Sequence, residues 1–229
     1  MAHSTPSKQS LVLCDGDLPA LVALSLTQDA VGSLGTVGVL SAPVAPAGAE
    51  AIGTRIHTLA DAQAAKCLDF PAVAPNSLVT GHRRTRYLSE AANQAMTNGF
   101  TTLVCPWQAE AFDPDASRSV DALPSVDALA RELDRTLLVS RLVTLDASEH
   151  GVAVFEVQAP LMDLSDMQVA EMALDLDVPV WRAWWWEAAD GKRTKDAALN
   201  ERANACKARW CAALESLGWS AKAEAAAAR

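Results

Sequence analysis

The stretch that most constrains this chain is Ser10–Leu26, SLVLCDGDLPALVALSL, an apolar run, a sharp turn and a second apolar run. A buried strand feeding straight into an apolar helix is the opening unit of a parallel α/β sheet, and its first turn is where such sheets place a ligand's phosphates. A phosphate cradle needs successive glycines, so that backbone N–H groups can close on the anion at a helix N-terminus. Here the turn reads Cys14-Asp15-Gly16-Asp17-Leu18-Pro19-Ala20, with one glycine and two carboxylates. Two aspartates aimed at one place repel an anion. The chain reads as a nucleotide-using fold with its nucleotide chemistry removed.

The rest of the chain continues the alternation. Leu11–Cys14 is predicted as a strand and Leu18–Thr27 as a helix, with Pro19 in the first turn where its missing N–H costs least. Thr36–Ser41 reads as a second buried strand, Ala42–Gly48 as a loop and Arg55–Leu59 as a third strand. Thr85–Thr97 is predicted as a helix ended by Asn98-Gly99 and followed at once by the strand Thr101–Cys105. Ser125–Leu138 is amphipathic, with Val126, Leu129, Ala130, Leu133 and Leu137 on the face expected to be buried. Val152–Val157 reads as a strand and Ser165–Leu176 as a helix capped by Ser165. Strands alternating with helices predict an α/β fold: a doubly wound, mostly parallel sheet with helices on both faces. Residues 1–9 read as a disordered lead, 10–190 as the α/β domain, 191–220 as a C-terminal helical appendage and 221–229 as a frayed tail.

Composition narrows the partners. Of 229 residues half are hydrophobic, enough for one good core, and the net charge of −9 argues against a general nucleic-acid or anionic-membrane binder. The longest apolar runs stop well short of the roughly 18 residues of a membrane span. MAHSTPSKQS has no apolar segment of the signal-peptide kind, and five widely spaced cysteines fit reduced thiols in a cytoplasm.

Beyond Ala159 the residues resemble a known family. APLMDLSDMQVAEMALDLDVP (Ala159–Pro179) is similar to the late segment of the 7-cyano-7-deazaguanine synthases, of the PP-loop ATP pyrophosphatase superfamily. There a Pro-Leu-x-Asp-Leu-Ser/Thr turn opens a helix and Gly-Val-Pro follows it. Pro160, Leu161, Asp163, Leu164, Ser165, Val178 and Pro179 match at the same spacing. Weaker echoes are Arg83-Arg84-Thr85-Arg86-Tyr87-Leu88-Ser89 for Arg-Asn-Thr-x-Phe-Leu-Ser, and LVCPWQAE (Leu103–Glu110) for Ile-Val-Ile-Gly-Val-Asn-Ala-Glu. Trp184 falls on the Trp of Trp-Ser-Cys-Tyr. The resemblance implies a PP-loop, adenine nucleotide alpha-hydrolase-like fold and a homodimer. It also implies ATP, Mg and Zn as cofactors, and pocket residues Arg83, Arg84, Gln108, Glu110, Asp163, Ser165, Asp166 and Trp184.

Set against that family, this chain departs where the chemistry lies. The family's loop is Ser-Gly-Gly-x-Asp-Ser; the counterpart Asp15–Ala20 keeps only Gly16. A phosphate-neutralising lysine becomes Asp166. Unit charges 4 Å apart interact by roughly 4 kcal/mol at a dielectric of about 20, so a few such repulsions cancel the roughly 8 kcal/mol of micromolar binding. The competing reading is that Asp15 and Asp17 hold Mg²⁺ as a bridge to phosphate. The family's zinc site takes the cysteine of Trp-Ser-Cys-Tyr and a C-terminal Cys-x-x-Cys-x-x-Cys; the matching positions here are Trp186, Cys206, Arg209 and Ala212. Cys206 and Cys211 are about 140° apart on a helix and cannot share a metal. Leu199, Ala203, Cys206, Trp210, Leu214 and Leu217 instead recur at helical spacing, which makes Cys206 a small core residue.

Other groups stay open between two readings. Trp181, Trp184, Trp185 and Trp186 form either a stacking or partner surface or plain packing; a second subunit is expected to bury part of that surface. His82-Arg83-Arg84-Thr85-Arg86 either receives an anion or pairs with carboxylates. His57 is read as a strand residue and His150 as part of a turn; neither has a legible triad partner. Cys14 and Cys105 end strands at the edge where α/β sites open, with no pattern that lowers a thiol pKa. Three functional readings follow. The first is a catalytically degenerate 7-cyano-7-deazaguanine synthase-like protein that acts by binding or assembly and needs no cofactor. The second is an active ATP-dependent C–N ligase of that type, in queuosine biosynthesis. The third is an unrelated doubly wound protein.

Overall fold

The computed structural model describes residues 9–41, 49–62, 65–69, 80–109, 119–148, 154–188 and 197–220. Five strands run parallel: β1 (Gln9–Cys14), β2 (Thr36–Ser41), β3 (Lys66–Asp69), β4 (Thr102–Val104) and β5 (Glu156–Gln158), in the order β3-β2-β1-β4-β5. The helices are α1 (Leu18–Val31), α2 (Ala49–Ala62), α3 (Thr80–Thr97), α4 (Val126–Ser148), α5 (Asp166–Asp175), the single-turn α6 (Trp184–Ala188) and α7 (Ala197–Ser216). Among the described residues no helix is long and apolar enough to cross a membrane.

Alternation along the strands divides the interior into two layers. Val12, Cys14, Val39 and Val104 point to one side, where α1, α2, α5, α6 and α7 cover them. Leu11, Leu13, Leu40, Leu103 and Cys105 point to the other, under α3 and α4. Both faces are thus buried, and β1 reads as an unbroken apolar run for that reason. The winding reverses between β1 and β4, so the crevice beyond their carboxyl ends is the ligand position of this architecture. Gly38 on β2 is fixed by close packing: a Cβ there would lie 2.5 Å from the Phe100 ring and 2.9 Å from Leu11.

The sequence expectations hold for β1, α1, β2, α3 with its Gly99 stop, β4 and α5, within a few residues at their ends. Three fail. Arg55–Leu59 is not a strand: it lies within α2, where Ile56, Leu59 and Ala60 recur at helical spacing and are buried, and His57 is therefore a helix residue. The third strand is Lys66–Asp69, a half-exposed edge strand too short and polar to stand out. Of the strand predicted at Val152–Val157, the described residues 154–155 are not strand and the strand runs over Glu156–Gln158; 151–153 and His150 lie outside the described residues. Just before it, the Thr144 hydroxyl bonds both the Phe155 N–H and its C=O, so a helix side chain takes the place of ladder partners.

The third correction concerns α4. It runs to Ser148, and most of the stripe expected to be buried points outward: Val126 is 81% exposed, Leu133 53%, Leu137 48% and Ala130 is exposed, while Leu129 is partly buried against Ala128 and Met162. The buried side carries Ala128, Glu132, Val139, Val143 and Ala147. The helix is apolar on two faces, and the one with small and β-branched residues is the one that packs on the sheet layer.

Candidate functional site

The β1–α1 turn sits at the crevice, and its Asp17 and Leu18 amide donors are already in use. Asp17 caps α1 in extended geometry and its Oδ1 accepts from the Leu18 N–H at 2.8 Å. Asp15 Oδ1 accepts from the Asp17 N–H at 3.0 Å. Gly16 makes the turn at φ +77° and its carbonyl accepts from the Trp184 N–H at 3.0 Å. Asp17 Oδ1 takes a second donor, the Trp185 indole N–H, at 2.7 Å. A helix N-terminus built to hold an anion therefore holds the chain's own carboxylates. Burial pushes the Asp15 carboxyl above its ordinary range. Burial, and then the neighbouring Asp15, push Asp17 up to about 6.

The residues at the family's lysine and zinc positions are joined to each other. Asp166, 3% exposed at the start of α5, accepts from Arg209 Nε at 2.6 Å on one oxygen and from Arg209 NH2 at 2.6 Å on the other. Gln108, beyond β4, donates to Asp166 at 3.0 Å and to the Leu164 carbonyl at 3.0 Å, while its Oε1 accepts from Arg209 at 2.9 Å. Burial lowers the Arg209 guanidinium, but its bonds and charge pairing with Asp166 outweigh that and hold it above its usual value. A fork matched to a carboxylate on two parallel bonds, with one further donor taken by an amide, compensates the buried Asp166 charge while Arg209 keeps about a third of its side chain exposed. Ser165 completes a capping box with Gln168, which fixes the start of α5 and so the position of Asp166.

Trp184 and Trp185 are buried within the chain. They therefore belong to the core between the β1–α1 turn and α7, while Trp181, like Trp186, keeps part of its surface exposed. Trp186 is half-buried and meets Trp219 edge-on at 5.8 Å. Leu199, Ala203, Trp210 and Leu214 are buried as the helical stripe requires, whereas Cys206 is half-buried, Leu217 is at the surface and Ala212 is exposed. Trp186, Cys206, Arg209 and Ala212 do not make a zinc set: one thiol is present, and Arg209 is engaged elsewhere. Among the described residues no group of three His, Cys, Asp or Glu side chains could hold a metal ion.

Arg84 does not join the crevice network. It donates to Glu132 on α4 at 2.8 Å and lies 5.1 Å from the Trp107 ring; Arg135 bonds the same Glu132 oxygen. Burial lowers its pKa to about 10 despite the Glu132 charge. Of the two readings of the basic patch, pairing with a carboxylate is the one realised at Arg84. The side chain of Arg83 and all of Glu110 lie outside the described residues, and Asp163 is exposed. Burial pushes the Cys14 thiol up to about 12, Cys206 to about 12 and Cys105 still further, so none is an activated nucleophile.

Sequence reasoning missed Arg202, which lies over the Trp184 ring at 5.3 Å and whose charge opposes the rise in the Asp15 pKa. It also missed the partnership of Asp166 with Arg209. Each departs from the resembled motif, Asp166 towards acid and Arg209 towards base, and that complementarity was the available signal.

No protein-family model matches the chain, and no curated protein resembles it in sequence. Among solved structures it is similar to the U34-tRNA thiolase NcsA from Methanococcus maripaludis with its 4Fe-4S cluster. That likeness covers 86% of this chain and 71% of the thiolase chain, at 8% identity and a TM-score of 0.47.

Proposed function

We propose that this chain is a catalytically silent protein of the PP-loop, 7-cyano-7-deazaguanine synthase-like kind, whose nucleotide pocket has become a structural joint and which acts by binding or assembly. The observation that carries the reading is the self-saturation of the β1–α1 turn: Asp15 and Asp17 accept the N–H groups of Asp17 and Leu18 that a phosphate would use. ATP does not fit these residues. The cradle amides are spent, the lysine position is acidic and the nearby arginine is clamped by Asp166 and Gln108. Zinc does not fit the C-terminal positions either. Trp185 and Arg209 then serve as the pins that hold α6 and α7 against α1 and α5. The five described cysteines are all unpaired, which supports a reducing, cytoplasmic setting.

The reading is tested by calorimetry with ATP·Mg²⁺ at pH 7.5. No heat of binding is expected with ligand up to the millimolar range, and metal analysis is expected to return far less than one zinc per chain. A micromolar ATP complex that Asp17→Lys abolishes would instead support the active-ligase reading.

A further inference from the structure

Among the described residues, the exposed large hydrophobic side chains concentrate on the outer face of α4. Leu133, Leu137, Leu138, Leu142 and Leu145 are 48–68% exposed within four turns of one helix. Together they present on the order of 500 Å² of apolar surface, the upper range of what monomers leave uncovered. Leu138 and Leu142 also line an open cleft against α3, with Thr85 and Ser89 on its far wall and Arg131, Asp134 and Arg135 along it.

Charges on the same face select what covers it. Asp134 and Arg141 are both exposed and sit two turns apart on the ridge between the leucines, at nearly the same angle around the helix. In an antiparallel pair of α4 helices related by a two-fold axis near Leu137 and Leu138, each Asp134 stands opposite the second copy's Arg141, twice over. A parallel pair stacks Asp134 on Asp134 and Arg141 on Arg141. The face is thus self-complementary when the helices run antiparallel about Leu137–Leu138, where the exposed Arg131 meets the uncharged Thr144 of the second copy rather than a like charge. Two such faces bury about 1,000 Å², the lower limit of a specific interface.

We propose that α4 is a homodimerisation surface, closed by a second copy of this chain packed antiparallel across Leu137–Leu138. It holds whether or not the β1–α1 turn binds a nucleotide. The test is sedimentation velocity of the full chain between 1 and 100 µM, with thermal melts to verify that each variant is folded. The wild type is expected to be a dimer at 100 µM and to dissociate on dilution. Leu138→Glu with Leu142→Glu is expected to leave a folded monomer throughout. Asp134→Arg alone and Arg141→Asp alone are each expected to weaken the dimer about tenfold, since each sets like charges face to face. The two exchanged together are expected to restore it. A wild type monomeric at 100 µM, a dimer that survives the glutamates, or a charge exchange that fails to rescue would each overturn the proposal.

Discussion

Asp17 carries three interactions at once: it caps α1, it accepts the Trp185 indole N–H, and it stands beside Asp15. The first two need only an oxygen acceptor; the third is a cost of the charge. Because its folded pKa is about 6, above the ordinary 3.8, the folded state binds more protons than the unfolded one between those values. Stability contributed by this group is therefore highest at about pH 4, declines as pH rises towards 6, and stays lower above it. Asn keeps the acceptor and removes the charge. Asp17→Asn is expected to stabilise the protein at pH 7.5 by on the order of 1–2 kcal/mol and to give no gain at pH 4, read from urea unfolding at the two pH values. At this scale the sequence disclosed the individual anomalies, Asp15, Asp17, Asp166 and Arg209. It did not disclose that Asp166 and Arg209, 43 residues apart, neutralise each other, because no local pattern links a helix start to the face of a later helix.

Elements were legible where a local signal fixes them: the apolar run of β1, the Pro19 entry to α1, the Gly99 stop of α3 and the Ser165 cap of α5. They were illegible where tertiary packing chooses. RIHTL alternates well enough for a strand, and only the burial of Ile56, Leu59 and Ala60 on one side decides for helix. On α4 two faces are apolar, and periodicity alone cannot say which one meets the sheet. The packing between β2 and β1 gives a prediction at this level. Gly38→Ala forces a methyl into Phe100 and Leu11, with no open side to escape to. It is expected to cost about 1–3 kcal/mol, seen as a lowered Tm, and Phe100→Leu in the same chain is expected to recover part of the loss.

At the scale of the whole molecule, α7 contributes Leu199, Ala203, Trp210, Ala213 and Leu214 to the same apolar cluster as β1 and α1. A chain ending at 196 exposes that cluster and leaves Asp166 a buried charge without its arginine. Such a truncation is expected to lose cooperative unfolding, measured by circular dichroism against the full chain. That α7 packs on α5 and α6 in the same apolar cluster as β1 was invisible in the sequence, which shows α7 only as an amphipathic stripe without its counterpart. The Asp17–Trp185 bond spans 168 residues, and this separation has a consequence in time. Domains ordinarily begin to fold from the N-terminus as they are synthesised. Here the β1–α1 turn makes its local bonds at once but gains its Trp185 partner only when a residue 168 positions later has been made. Loop closure over such distances slows the search for the native state. Until α6 has been made, β1 and α1 wait with the Asp17 acceptor and the Gly16 carbonyl unmatched by the tryptophans that will cover them.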